Sequence, residues 1–402
     1  MGIYRDLTRS PGVLRILISQ LTARFPFGML SITVLLHVQL VYGNYTSAGI
    51  ILAAISVGQG VSGPLTSRLM GRLGMRPVLT ITSIVCASLI VTIALTTLPL
   101  TIVALLALLL GLTTPPITPA VRTIYPKLVP GKQVTALFSL DASAQEVIWI
   151  IGPVVAVFIS TQVSTVVGLL IGAFVMLAGG LWFILSPEVG RVRIPRSRRR
   201  LGAVLSRPTV VVATITGFFF IASFSAIEAG IVAAFGHNGI ESGILLAVFS
   251  VGSIAGGLLM GHRDVRPWSM IVYSGIVMVG TALCLVSMNE IWLGAMLFLG
   301  GMGIAPMFAA IFSIVSSTVK FSETAEAYGW VGTGQLVGAA LGSAVAGIAI
   351  DTAGGVGGIF VSAVFLIITV ITAAVSLPWI PDLRGKEATP IPDTEPIQLD
   401  PQ

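Results

Sequence analysis

Two ionisable residues of opposite charge stand inside apolar stretches of the chain. If these stretches are membrane-spanning helices that start on the same side, Arg24 is about nine residues into the first and Glu146 about ten into the fifth. Both then lie at a depth of about 14–15 Å, near the bilayer midplane. A charge there costs on the order of 3 kcal/mol and needs a partner or water. We predict that Arg24 and Glu146 pair or share a substrate site, the alternative being a purely structural ion pair.

Polar and aromatic side chains recur around both charges at helical spacing. They are Gln20, Phe27 and Ser31 near Arg24, and Asp141, Gln145 and Trp149 near Glu146. Such spacing places each set along one face of a helix, which predicts the wall of a cavity. Glu146 is the candidate for proton exchange and Arg24 for tuning it. Phe27 and Trp149 would contact apolar parts of a substrate.

Three further residues are candidates for the same cavity. Glu228 is about 20 residues into the seventh stretch, so it either lines the outer mouth or reaches the lipid headgroups. Trp330 and Gln335 stand in a glycine-rich part of the eleventh stretch, where they line the cavity or only pack against neighbouring helices. Asp141 and Glu228 are the next candidates for proton coupling after Glu146.

Other chemistries have no support in the sequence. There is no phosphate-binding loop for ATP, no identifiable nucleophile–base arrangement, and no basic stretch interleaved with aromatics for nucleic acid. His37, His237 and His262 lack metal-ligand spacing. We therefore predict neither an enzyme nor a bound cofactor.

The composition predicts the elements that position these residues. Of 402 residues, 55% are hydrophobic and only 9% are charged, which is typical of a chain exposed to lipid. A crossing needs about 20 apolar residues. Twelve stretches qualify, at 15–41, 46–67, 77–96, 100–121, 136–160, 164–185, 208–235, 240–261, 268–287, 291–316, 327–350 and 355–380.

Basic residues fix the predicted topology. Twenty-one of the 22 Lys and Arg residues lie at the termini or in alternate connections, and Arg24 is the exception. Connections rich in Lys and Arg stay in the cytoplasm. We therefore predict a multi-pass protein of the cytoplasmic membrane with both termini inside, the loop around Arg198 inside and Glu241 outside. Arg122, which follows a proline-rich segment, is interpreted as a cytoplasmic anchor.

The chain also repeats itself at an offset of 190 residues. Gly71, Arg76, Pro77, Gly111, Pro116, Gln145 and Gly152 recur as Gly261, Arg266, Pro267, Gly301, Pro306, Gln335 and Gly342. The predicted organisation is a cytoplasmic segment 1–14, a six-helix bundle 15–185, a basic linker 186–207, a second bundle 208–380 and a disordered cytoplasmic tail 381–402. Two similar halves with a site between them are a recurring transporter architecture.

This arrangement resembles the major facilitator superfamily, in particular its 12-helix drug and metabolite exporters. The loop at 67–76 is similar to the family's Gly-x-x-x-Asp-Arg-x-Gly-Arg-Arg signature through Arg72, Gly74 and Arg76, and Arg266 marks its counterpart in the second half. Ser67 and Gly71 depart from the signature, and Gly71 replaces the aspartate that latches the halves in the family. Gly152-Pro153 resembles part of the antiporter motif, although it is also explained by helix packing.

The resemblance implies an all-α protein of two pseudo-symmetric six-helix bundles. Its implied function is secondary active transport of a small molecule by alternating access, with proton-coupled efflux preferred. The alternatives are uptake or facilitated diffusion of a sugar or organic anion, or a transport-dead scaffold or sensor. Ala107 stands where many exporters carry a buried arginine in helix 4. The expected partners are the substrate, protons and membrane lipids, and the expected state is a monomer.

Overall fold

A computed structural model describes residues 2–197, 200–235 and 241–393. Arg198 and His237 lie outside this part of the chain. Within it the α-helices are α1 Gly2–Arg9, α2 Val13–Tyr42, α3 Tyr45–Leu73, α4 Met75–Leu95, α5 Leu100–Leu112, α6 Ile117–Leu128, α7 Val134–Gln162, α8 Thr165–Leu185, α9 Pro187–Arg191, α10 Pro208–Phe235, α11 Glu241–Met260, α12 Ser269–Cys284, α13 Glu290–Gly301, α14 Ile304–Thr318, α15 Phe321–Ala353 and α16 Gly355–Val375.

The predicted all-helical membrane fold is confirmed. Eleven helical segments of the described chain are long and apolar enough to cross a bilayer, with α5 and α6 counted as one segment and α13 and α14 as another. The twelfth crossing is α12, whose 16 residues are fewer than a crossing ordinarily needs. The predicted ninth stretch therefore forms a shorter helix than its apolar run suggests.

Two of the crossings are interrupted at equivalent places in the repeat. The fourth breaks between α5 and α6 at Pro115 and Pro116, which lack the N–H groups that a continuous helix would use. The tenth breaks between α13 and α14 at Met302 and Gly303. In both, the chain continues within the bundle as a second helix. The crossings therefore end at Leu128 and Thr318, beyond the predicted ends at 121 and 316.

Glycine pairs hold equivalent helices of the two halves together. A Cβ atom on Gly58 of α3 would lie 2.8 Å from the Cα of Gly111 on α5. A Cβ atom on Gly252 of α11 would likewise lie 3.1 Å from the Cα of Gly301 on α13. Only glycine permits backbones this close. The repeat in the sequence therefore corresponds to a repeated helix contact.

We call the end of the bundle that carries α1, the described tail residues 381–393 and the connections at 68–76 and 191–197 the basic end. Here α1 reaches from the first half to the second, because the Tyr4 hydroxyl donates to the Gly257 carbonyl at 2.6 Å. Burial raises the pKa of Tyr4, despite a hydrogen bond with Ser139 that lowers it. Tyr4 is thus a neutral hydrogen-bond donor at physiological pH.

The tail differs from its predicted disorder over residues 381–393. The Leu383 N–H donates to Val265 at 3.0 Å, and Ile391 exchanges backbone hydrogen bonds of 3.0 Å with Val319 and Phe321. Leu383 and Ala388 are buried. The composition of this segment is poor in large apolar residues, but its backbone finds partners on the second half that composition does not reveal. Residues 394–402 lie outside the described part of the chain.

Candidate functional site

A central cavity of about 430 Å³ lies between the two halves. Its wall comes from α2, α3, the α5–α6 crossing and α7 of the first half and from α15 of the second. Five of the predicted cavity residues line it, namely Phe27, Ser31, Gln145 and Trp149 of the first half and Gln335 across the interface. The volume is that of a small-molecule site.

Arg24 is held by a polar cluster on α2 and α7. Its guanidinium donates to the side-chain carbonyl of Gln20 at 2.9 Å and to that of Gln145, and lies 3.6 Å from the Asp141 carboxylate. Gln20 in turn donates to Asp141 at 2.8 Å. Arg24 lines the cavity, whereas Gln20 and Asp141 are buried behind it. The carboxylate partner of Arg24 is therefore Asp141, and the predicted pairing with Glu146 is wrong.

Glu146 contacts the other half of the molecule instead. Its two carboxylate oxygens accept hydrogen bonds from Ser253 at 2.8 Å and Ser250 at 3.0 Å, both on α11. Each residue along a helix turns the side chain by about 100°, so Glu146 faces away from the stripe of Asp141 and Gln145. Similar depth did not bring Arg24 and Glu146 together, because Arg24 of α2 contacts the face of α7 that carries Asp141 and Gln145, whereas Glu146 lies on a different face of α7.

Arg122 is a cavity residue that the sequence interpretation missed. Its side chain is 5% exposed and lines the cavity, and its Cζ atom stands 3.5 Å from the centroid of the Phe312 ring on α14. The interpretation as a cytoplasmic anchor is wrong, because α6 continues within the bundle after the break at Pro115 and Pro116. A signal was present in the sequence, since the apolar pattern resumes at Ile117 and runs past Arg122.

Gly152 allows α7 to cross α2 at close range. A Cβ atom on Gly152 would lie 3.0 Å from the Cα of Gly28, and Pro153 lies within the helix without interrupting it. This geometry accounts for the Gly152-Pro153 pair as a packing feature. It also fixes the distance between the faces that carry Arg24 and Gln145.

Two predicted residues lie away from the cavity. Trp330 packs against the buried core near Gly202, and its indole nitrogen has no hydrogen-bond partner among the described residues. Glu228 is exposed on α10 and is not part of the cavity wall. Their predicted roles in the cavity and in coupling remain untested, but neither is placed with the central cluster.

The halves are joined at the basic end by a latch made of Arg68, Glu326 and Gly202. Arg68 of α3 pairs with Glu326 of α15 at 3.1 Å, and Glu326 also accepts the Gly202 N–H of the linker at 2.7 Å. A Cβ atom on Gly71 would lie 3.3 Å from the Pro195 carbonyl of the same linker. An aspartate at position 71 would bring its side chain against that carbonyl, so the close approach of the linker favours glycine here.

The other signature residues shape the loops at this end. Gly74 has a φ of +94°, which favours glycine, and joins α3 to α4. Arg76 donates to the carbonyls of Ile184 and Ser186 at 3.0 and 3.2 Å, which ties α4 to the end of α8. Arg72 is exposed, and Arg266 stands over the Trp268 ring at 5.7 Å.

The polar contacts that we find between the halves, among the described residues, run from the basic end to about mid-depth. The outermost is the Thr333 hydroxyl, which donates to the Gly60 carbonyl at 2.8 Å. Ser139 of α7 donates to Gly257 of α11 at 3.0 Å nearer the basic end. The cavity is therefore closed toward the basic end.

Two sets of six crossings around one central cavity define a multi-pass membrane transport protein. A family model described as the Major Facilitator Superfamily matches residues 16–261 and 210–399, so the chain belongs to this superfamily. No curated protein matches the sequence.

Solved structures show the same fold at low identity. The human organic anion transporter MFSD10 (TETRAN) has a TM-score of 0.69 at 15% identity, over 90% of this chain and 98% of that one. A bacterial homologue of the iron transporter ferroportin, in the outward-facing state, has a TM-score of 0.72 at 12% identity, over 91% of this chain and 98% of that one. The E. coli fucose:proton symporter has a TM-score of 0.70 at 16% identity, over 91% of this chain and 98% of that one.

Proposed function

We propose that this protein is a secondary active transporter of the cytoplasmic membrane that exports a small molecule in exchange for protons by alternating access. The observation that carries the proposal is the position of Glu146. It stands beside the cavity and its hydrogen bonds to Ser250 and Ser253 cross from one half to the other. Its environment must therefore change whenever the halves move apart.

A carboxyl group in that position links proton binding to conformation. An ionised carboxylate accepts hydrogen bonds and cannot donate them, so the two serine hydroxyls are matched donors. When α7 and α11 separate, Glu146 exchanges these donors for other surroundings, and its affinity for a proton changes with them. Proton binding and the closed contact thus influence each other reciprocally.

The direction of opening follows from the basic residues. Arginine-rich connections stay in the cytoplasm, so the basic end and both termini face the cell interior in this proposal. The cavity, closed toward the basic end, then opens outward. This is the state in which an exporter releases substrate and takes up a proton.

The test uses the Glu146→Gln variant in proteoliposomes that contain a pH-sensitive dye. A panel of sugars, organic anions and organic cations is screened for compounds that cause proton movement through the wild-type protein. Glu146→Gln should abolish this movement, because the amide cannot exchange a proton, while exchange of the labelled compound without a gradient persists.

Glu228→Gln is the matched control, since it removes an exposed carboxylate outside the cavity wall. It should retain coupled transport. Wild-type proton movement in Glu146→Gln would remove Glu146 from the mechanism and make Asp141 the next candidate.

The second candidate is uptake or facilitated diffusion of a sugar or organic anion. It is supported by the hydroxyl and amide side chains of the cavity wall, among them Gln59, Thr118 and Gln335. Accumulation of the compound inside proteoliposomes with an imposed gradient, in place of its expulsion, would favour this alternative. A transport-dead scaffold has the least support, because it has no use for arginines buried at a cavity.

A further inference from the structure

The charged side chains in the wall of the cavity are of one sign. Arg24 and Arg122 line it, and no carboxylate does so within the described part of the chain. Burying a cation without an ionic partner is unfavourable, so each arginine has to be neutralised by a group of the protein or of the ligand.

The two arginines share the charge of one nearby carboxylate, Asp141, which forms an ion pair only with Arg24. Arg24 has the Asp141 carboxylate at 3.6 Å and amide oxygens on both sides. Arg122 feels the charge of Asp141 only at longer range and makes no hydrogen bond or ion pair with the described residues, and its Nε atom is buried without a partner. Its close contact is the face of the Phe312 ring, which attracts a cation but supplies no counter-charge.

The rest of the cavity wall is largely apolar. Phe27, Leu30, Val34, Ile90 and Trp149 all contribute to it. A ligand that fits both regions has an apolar body and one anionic group. A guanidinium can donate two parallel hydrogen bonds to the two oxygens of a carboxylate, or to two of the three oxygens of a sulfonate.

We propose that the cavity binds amphipathic organic monoanions and that Arg122, on α6, is the residue that binds the anionic group. The inference rests on the proposed function, in which this cavity is the substrate site. Arg24 then serves mainly to order Gln20, Gln145 and Asp141, and the apolar wall sets the size and shape of the ligand body.

The test is equilibrium binding to the purified protein in detergent, measured by calorimetry. The probes share one ring system and differ in charge: 1-naphthaleneacetate, its neutral amide, and the cationic 1-naphthaleneethylamine. The wild-type protein should bind the acid at least about tenfold more tightly than the amide, the factor expected for a charge-assisted pair. The amine should bind more weakly than both.

Arg122→Gln should remove this preference, so that acid and amide bind equally, while the affinity for the amide stays unchanged. Lys127→Gln is the matched control. Lys127 is on the same helix and stands over another ring, Phe321, at 4.6 Å, but outside the cavity. The control should bind all three probes like the wild-type protein.

The inference is overturned if the wild-type protein shows no preference for the acid, or binds no acid at millimolar concentration. It is also overturned if Arg122→Gln keeps the preference. The wild-type comparison decides the question even if Arg122→Gln does not fold. Binding needs no gradient, so a preference for the acid without coupled transport would contradict only the proposed function. Coupled transport of neutral or cationic compounds without that preference would contradict only this inference.

Discussion

Arg24 and Asp141 form the polar centre of the first half, and each restrains the other. Both side chains are almost entirely buried, at 6% and 1% exposure. Removing one partner of a buried pair leaves an uncompensated charge, which costs about 3–5 kcal/mol. Removing both leaves amides that can still hydrogen-bond to Gln20 and Gln145.

We therefore expect Arg24→Gln and Asp141→Asn to lower the thermal unfolding temperature strongly, and the double variant to recover most of the loss. Unfolding in detergent, followed by intrinsic fluorescence, measures this directly. The comparison cycle combines Arg24→Gln with Glu146→Gln, whose effects should simply add. If the effects of Arg24→Gln and Asp141→Asn simply added, while those of Arg24→Gln and Glu146→Gln compensated each other, Glu146 and not Asp141 would be the partner of Arg24.

The depth of these residues could be predicted from the sequence, but the partners could not. Position along an apolar stretch gives depth at about 1.5 Å per residue, and Arg24 does lie beside the stripe of Asp141 and Gln145 on the helix where Glu146 was expected to meet it. The rotation of one helix against its neighbours depends on packing, here on the contact between Gly28 and Gly152. The sequence shows such glycines without showing what they touch.

At the scale of elements, the break at Pro115 and Pro116 decides what the fourth crossing contributes. The predicted stretch ran through this proline pair without a break and stopped at 121, immediately before Arg122. The chain instead bends and continues as α6, which carries Arg122 into the cavity wall. The direction of α6 after the bend depends on its contacts with α14 and α15. These are tertiary contacts between distant parts of the chain, so the sequence does not show them.

The latch at the basic end connects α3, α15 and the linker through one carboxylate. Glu326→Gln should weaken closure, because the neutral amide loses the ion pair with Arg68. A coupling of about 1–3 kcal/mol changes the ratio of closed to open forms by roughly 5- to 150-fold. Spin labels at the exposed positions Leu73 and Lys320, one in each half, measure the distance between the halves at the basic end. In Glu326→Gln this distance should show an additional, longer population.

Asp351→Asn gives the control for this experiment, since it neutralises an exposed carboxylate at the opposite end of the same helix. Its distance distribution should match that of the parent. An unchanged distribution in Glu326→Gln would mean that the tail and the linker hold the basic end closed without the latch.

The tail is a second connection between the halves at this end. The tail forms backbone hydrogen bonds with the second half at Leu383 and Ile391. The Asp393 carboxylate also accepts a hydrogen bond from the Ser322 hydroxyl at 2.5 Å. Glu387 lies against Gly131 of the first half, where a Cβ atom would come within 2.6 Å of its Cγ. Hydrogen bonds from Arg384 lower the pKa of Asp382 to about 2, so this exposed pair stays charged at physiological pH.

At the scale of the whole molecule, the cavity and the latch together define which side is open. With Cys86 and Cys284 replaced by serine, an impermeant thiol reagent added outside cells should modify cysteines placed at Ser56 and Glu241. Ser56 is exposed in the cavity wall, whereas Lys127 is exposed at the basic end. A cysteine at Lys127 should be protected until the membrane is opened.

The reverse pattern, with Lys127→Cys modified from outside and Glu241→Cys protected, would invert the topology. Modification of Glu241→Cys but not of Ser56→Cys would keep the topology and contradict the outward opening.

The central charges have a consequence for how the membrane voltage acts on the protein. Arg24, Arg122, Asp141 and Glu146 sum to zero when all are ionised, and to one positive charge when Glu146 carries a proton. The electrical potential falls mainly across the closed end of the cavity, because the open end holds electrolyte. Switching ends moves these charges through that drop, at about 2.3 kcal/mol per charge and 100 mV.

In the proposed cycle, the protonated empty carrier turns inward with a positive charge, and the ionised carrier turns outward with a bound anion and a negative charge. A negative cell interior favours both movements. Voltage alone would then power export even where the two sides of the membrane have the same pH.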